Sequence, residues 1–144
     1  MTRAGRALGV DLGERRIGLA LSDPSRTLAS PYDVVRRGRD HAADHGTILA
    51  AAREAGATTI VVGLPLSLSG ATGPAARAAL VEAEELRVAA GDDIDVVVHD
   101  ERLTTVTAER ALDEARMPRA DRKQVVDKIA AAVMLQSWLE GGAR

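Results

Sequence analysis

The 144-residue sequence has no cysteine and no phenylalanine, and its aromatics are a single tyrosine and a single tryptophan, Tyr32 and Trp138. The first absence excludes disulfides and thiolate metal sites and permits a reducing compartment. The shortage of aromatics means a core of Ala, Val, Leu and Ile, and it rules out base stacking as the main source of any nucleic-acid affinity. No apolar run approaches the ~18 residues of a membrane span. Behind Arg3 and Arg6, Asp11 interrupts any signal-like apolar segment, so a cytoplasmic protein is expected. Nor is one sign of charge in excess: 19 basic against 21 acidic residues leave a net charge of −2, which does not by itself favour a nucleic-acid binder. The charges are clustered, however. Arg15, Arg16, Arg36, Arg37 and Arg39 fall in the first third, Arg116, Arg119, Arg122 and Lys123 form a second basic group, and acids gather between Glu82 and Glu101. Each cluster reads equally well as solvated surface. There is no internal repeat, low-complexity tract or linker, and the length suits one domain over residues 1–144.

What is present begins with Leu8-Gly9-Val10-Asp11-Leu12-Gly13. Residues 7–13 and 16–22 read as two strands around a hairpin turn at Gly13-Glu14-Arg15-Arg16. Each has a bulky face and a face of small residues. Leu8, Val10 and Leu12 oppose Gly9, Asp11 and Gly13, and Ile17, Leu19 and Leu21 oppose Arg16, Gly18, Ala20 and Ser22. A third strand over 27–35 carries Pro31, which places it at an edge. Residues 41–55 read as a helix ended by Gly56, and residues 60–64 as a strand buried on both faces. A helix follows from Pro74 to about Ala90. Residues 94–98 read as a second buried strand. Further helices are expected over 105–116, closed by Met117-Pro118, and over about 122–140. The order predicts an α/β fold: a mixed five-stranded sheet, its first three strands antiparallel, with helices on its faces.

Three acids stand where acids are costly. Asp11 sits within an apolar strand, where an unpartnered carboxylate is expensive to desolvate. Glu101 follows a strand end, the usual place for functional groups in open α/β sheets. Asp127 shares a helical face with Ala130, Ala131, Met134, Leu135 and Trp138, so it points inward; the small alanines would let that helix approach the small-residue face around Asp11. Taken singly, Glu101 is an ordinary loop carboxylate and Asp127 could pair with Lys123 or Lys128. Together they form a set of hard oxygen ligands suited to Mg²⁺ or Mn²⁺. Three carboxylates and two divalent ions would leave a site of charge +1 that attracts phosphate, the two-metal arrangement for phosphoryl chemistry. His41 and His45 have i,i+4 spacing, but no third ligand accompanies them, so zinc is not expected. His99 at a strand end reads as structural.

Residues 9–23, from Gly9-Val10-Asp11-Leu12-Gly13 to Ser22-Asp23, closely resemble the opening motif of the bacterial YqgF/RuvX family. Val61-Val62-Gly63-Leu64-Pro65-Leu66 resembles its second motif, Asp100-Glu101-Arg102-Leu103-Thr104-Thr105 its third, and Asp127-Lys128-Ile129-Ala130-Ala131 with Leu135-Gln136-Ser137-Trp138-Leu139 its last. The resemblance spans nearly the whole chain. It implies a ribonuclease-H-like fold related to Holliday-junction resolvases. It also implies a nuclease tied to maturation of the 5′ end of precursor 16S ribosomal RNA, with Asp11, Glu101 and Asp127 as its catalytic, metal-holding carboxylates. The loop after Pro65 departs from the family pattern: Ser67 stands where Asn is common and Ala71 lacks a hydroxyl.

The expected activity is Mg²⁺- or Mn²⁺-dependent phosphodiester hydrolysis. Arg15, Arg16, Arg102, Ser67, Ser69 and Thr72 are candidate contacts to the phosphate backbone. Two alternatives stay open. One is a structure-specific nuclease on branched DNA, for which a homodimer would match a two-fold junction. The other is a non-catalytic module: either one that keeps the fold and binds nucleic acid without turnover, or a nucleotide-binding fragment of the actin type, whose site normally needs two such domains.

Overall fold

The computed structural model describes residues 5–65, 73–100 and 119–141. Five strands, β1 (Arg6–Leu12), β2 (Arg16–Ser22), β3 (Ala29–Arg36), β4 (Ala57–Leu64) and β5 (Asp95–Asp100), form one sheet in the order β3-β2-β1-β4-β5. The first three are antiparallel, whereas β1, β4 and β5 run parallel. The described helices are α1 (His41–Ala55), α2 (Pro74–Ala90) and α3 (Arg119–Gly141).

Local chemistry explains most boundaries. The Asp40 carboxylate accepts from the Ala43 amide to cap α1, and Gly56 closes the helix at φ 76°, a conformation that favours glycine. Pro74 occupies the first turn of α2, where a missing N–H costs nothing. Pro31 lies on edge strand β3, as expected, beside an irregularity where Leu19 pairs with Asp33 but Ala20 with Pro31. That strand starts two residues later than the pattern suggests. The Asp23 carboxylate accepts from the Thr27 and Leu28 amides and holds those residues in a turn.

The alternation read in the strands sorts the core into two layers. Leu8, Val10, Ile17, Leu19, Ile60 and Val62 pack with Ile48, Leu49 and Ala52 of α1 and Ala83 and Leu86 of α2. On the opposite face Ala7, Ala20 and Val61 pack with Ala131, Met134, Leu135 and Leu139 of α3. Helices therefore cover both faces, and β4 is buried on both. β5 differs from expectation. It covers Asp95–Asp100 and is only half-buried, with Val98 42% exposed, because among the described residues it ends the sheet and pairs with β4 alone. α3 begins three residues earlier than the pattern predicts; the expected 105–116 helix lies outside the described residues.

Candidate active site

β1 delivers Asp11 near its carboxyl end on the same face as Ala7 and Gly9, the face covered by α3. Its partner across the β1–β2 ladder is Gly18. Gly18 is where α3 comes closest. A Cβ there would lie 2.1 Å from the Asp127 carbonyl oxygen, and a Cβ on Gly9 would lie 2.9 Å from the Leu135 Cβ and 3.2 Å from the Ala131 carbonyl oxygen. The small-residue faces of β1 and β2 thus let the α3 backbone rest on the sheet backbone, bringing Asp127 beside the residue that pairs with Asp11. Ala130 and Ala131, 2% and 0% exposed, line the same approach.

Asp127 is inward-facing and only partly buried. Its Oδ2 accepts a 2.7 Å bond from Arg16 Nε, and both side chains remain 24% exposed. Arg16 starts β2 on the same face as Gly18, so the strand that makes room for α3 also supplies the countercharge. Among the described residues the ion-pair partner of Asp127 is therefore Arg16, 111 positions away, and not Lys128 one residue on. Arg15 is exposed in the turn, where Gly13 donates to the Arg16 carbonyl at 3.0 Å. His99 is half-buried, its Nε2 is 3.1 Å from Ser137 Oγ on α3, and burial pushes its pKa below the ordinary value.

Glu101, Arg102, Ser67, Ser69 and Thr72 lie outside the described residues. The strands that precede them are described. β4 ends at Leu64 and β5 at Asp100, paired in register, at the same carboxyl end of the parallel strands to which β1 brings Asp11.

A second constellation joins α1 to α2 on the other face of the sheet. The expectation that His41 and His45 have no third ligand is wrong: Glu82 of α2 completes a group whose ligand atoms all lie within 4.8 Å of one another. His45 Nε2 is 2.9 Å from Glu82 Oε2, His41 Nε2 is 3.9 Å from Oε1, and His41 Nδ1 is 2.9 Å from Glu85 Oε1. Arg37 grips Glu82 with two bonds of 2.6 and 3.0 Å and reaches Asp44 at 3.4 Å. Burial pushes the Glu82 carboxyl up, but the hydrogen bonds from Arg37 and His45 outweigh it and hold the pKa below its ordinary value. The bond to Glu85, helped by the Glu82 charge, raises that of His41. The i,i+4 spacing was the readable signal; a third ligand on another helix leaves no trace in local spacing.

A family model described as "RuvX: Holliday junction resolvase" matches residues 5–141. The chain belongs to the RuvX family. Among curated RuvX relatives, a "Putative pre-16S rRNA nuclease" of Kineococcus radiotolerans is 46% identical over 96% of this chain and 73% of its own length. The protein of the same name from Nocardioides sp. is 47% identical over 96% of this chain and 89% of its own. The solved structure of "T. thermophilus RuvC in complex with Holliday junction substrate" superposes with a TM-score of 0.57 at 15% identity, covering 95% of this chain and 96% of that one. At that identity the likeness speaks for the fold, which is ribonuclease-H-like as expected. By family this RuvX chain is a nuclease. Its fold and its clustered acids and histidines suit a divalent cation: the carboxylate donors of Asp11 and Asp127 are hard oxygens, and the sequence has no thiolate to compete. No described helix is long and apolar enough to cross a membrane.

Proposed function

We propose that this chain is a divalent-metal-dependent endonuclease that cleaves phosphodiester bonds of structured RNA, with the 5′ end of precursor 16S ribosomal RNA as its substrate and the cytoplasm as its compartment. The observation that carries this reading is the contact of α3 with Gly18, which sets Asp127 beside the cross-strand partner of Asp11 within a chain matched by the family along its length. Asp11, Asp127 and Glu101 would hold Mg²⁺ or Mn²⁺. When bound, such ions supply an activated water and stabilise the leaving oxygen. The chain's own part is to hold the carboxylates on a rigid strand and a closely packed helix, so that little reorganisation accompanies reaction. Arg16 neutralises Asp127 in the absence of a cation. Arg16, paired with Asp127 at 2.7 Å and still partly exposed, would also offer its remaining donors to a phosphate oxygen of the substrate. Arg15, Arg102, Ser67, Ser69 and Thr72 would bind the backbone nearby. With so few aromatics, affinity rests on charge and shape and falls steeply with salt.

The family description favours one second reading, cleavage of four-way DNA junctions by a homodimer. The test compares wild type with Asp11→Asn on structured precursor rRNA and on four-way junctions, each with Mg²⁺ or Mn²⁺. Wild type should cut the RNA and the variant should not. Equal activity of the two proteins overturns the site, and cutting of junctions but not RNA replaces the substrate. Tight binding of ATP by calorimetry, without cleavage, would favour a nucleotide-binding module.

A further inference from the structure

We propose that His41, His45 and Glu82 form a zinc site that clamps α1 to α2, separate from the carboxylates around Asp11 and on the opposite face of the sheet. The donor atoms already stand near the required spacing. With Zn–N and Zn–O bonds of ~2.0–2.1 Å, tetrahedral ligand atoms sit about 3.3 Å apart. His45 Nε2 is 2.9 Å from Glu82 Oε2 and His41 Nε2 is 3.9 Å from the other oxygen, Oε1, and with one ligand atom taken from each residue the three lie within 4.8 Å of one another. Rotation of the half-exposed His41 ring toward Glu82 would draw the set in to that spacing.

The surroundings are those of a ligand set. His41 presents Nε2 to Glu82 while its Nδ1 meets the Glu85 carboxylate at 2.9 Å. An outer carboxylate of this kind fixes the tautomer of a zinc-bound histidine and strengthens it as a donor. Arg37 holds Glu82 by both oxygens. A carboxylate offers about four lone-pair sites, so the fork orients Glu82 and leaves it able to bind a metal. Charge also favours a cation: Asp44, Glu82 and Glu85 carry three negative charges against the one positive charge of Arg37, and a divalent ion balances the remainder. His45 and Glu82 are buried, 3% and 5% exposed, whereas His41 lies on the solvent side. This leaves a fourth position open to water. A mixed nitrogen–oxygen set selects Zn²⁺ over Mg²⁺.

The test uses the full chain stripped of metal with chelator and titrated with Zn²⁺ alone, read by calorimetry and by melting temperature. Binding of one equivalent, with a rise in melting temperature that Mg²⁺ does not reproduce, is expected. Glu85→Gln should weaken the affinity by about tenfold to a hundredfold, the usual effect of losing an outer partner, and His41→Ala by more. The His41 ring is 55% exposed, so its removal leaves the fold intact and the experiment does not depend on the buried His45. Asp11→Asn should bind zinc as wild type does. Co²⁺ should give the visible absorption of a four-coordinate site, lost in His41→Ala. Absence of zinc binding, or binding that His41→Ala leaves unchanged, overturns the proposal, and loss of binding in Asp11→Asn reassigns the zinc to the other site.

Discussion

Gly18→Ala is the substitution on which the architecture of the proposed active site most directly depends. The added methyl would stand 2.1 Å from the Asp127 carbonyl oxygen, about 1.3 Å inside the 3.4 Å at which ordinary contact begins. The obstacle is helix backbone, which cannot rotate away as a side chain would. β2 is equally constrained, paired to β1 on one side and β3 on the other. The helix must therefore lift from the sheet by about an ångström. Lifting loosens the packing of Ala131, Met134 and Leu135, each wholly buried against that face. Overpacking of this kind costs about 1–3 kcal/mol, a fall in Tm of roughly 3–9 °C for a domain of this size. The same displacement carries Asp127 away from Asp11. A misplacement of about 1 Å at a catalytic centre costs on the order of a hundredfold in rate. Urea unfolding and metal-dependent cleavage of precursor rRNA, measured on one preparation, would report both effects. A variant with wild-type midpoint and wild-type activity refutes the close approach of α3 and, with it, the placement of Asp127.

Four other outcomes are expected. Gly46→Ala in α1 meets nothing within 4 Å and should raise stability by about 0.5–1 kcal/mol in the same urea assay. Arg37→Met takes the countercharge from Glu82 and Asp44, both nearly buried and left with His45 and the Gly38 amide as partners, and should lower stability by about 1.5–3 kcal/mol, whereas Arg16→Met at the partly exposed pair with Asp127 should cost under about 1 kcal/mol; reversal of that order would show the Arg37 network to be incidental. Asp127→Asn should abolish Mg²⁺-dependent cleavage while melting within a few degrees of wild type, and retained cleavage would remove Asp127 from the site. Hydrogen bonds from the Leu28 amide, the Thr27 and Ser25 hydroxyls and the Thr27 amide hold the Asp23 carboxyl well below the ordinary carboxylate range. Its stabilising contribution is therefore complete above the unfolded value, about 3.9, and is lost as pH falls below that. A carboxyl carbon NMR titration of Asp23 with an ordinary midpoint would contradict it.

What could be read ahead of the structure and what could not divides along a physical line. Within one element, periodicity reports which side chains share a face. The bulky and small faces of β1 and β2, the apolar stripe of α3 and the edge position forced by Pro31 were all legible for that reason. Glycine and alanine extend this reading one step beyond the element, because a surface without side chains states how near a neighbour can come. Gly9 and Gly18 opposite Ala130 and Ala131 announced close packing of a helix on the sheet, and that packing sets the Asp127 backbone against Gly18, the ladder partner of Asp11. Charge partners carry no such signal. Arg16 and Asp127 are 111 positions apart, and Glu82 reaches His45 across 37. A long side chain can satisfy a carboxylate from any element that passes, so neither pairing follows from spacing. The half-buried state of β5 was equally hidden, since Val96-Val97-Val98 reads the same at the middle of a sheet as at its end. The pairing of Arg16 with Asp127 also alters what the sequence suggested about the basic turn. Arg16 is no free phosphate ligand in this structure but the countercharge of Asp127, and its positive charge would oppose a divalent cation held by the same carboxylate. Metal affinity should therefore rise in Arg16→Gln even as substrate affinity falls, a split that calorimetry with Mn²⁺ and binding of precursor rRNA at fixed salt would resolve; parallel changes in the two would mean that Arg16 only holds the fold.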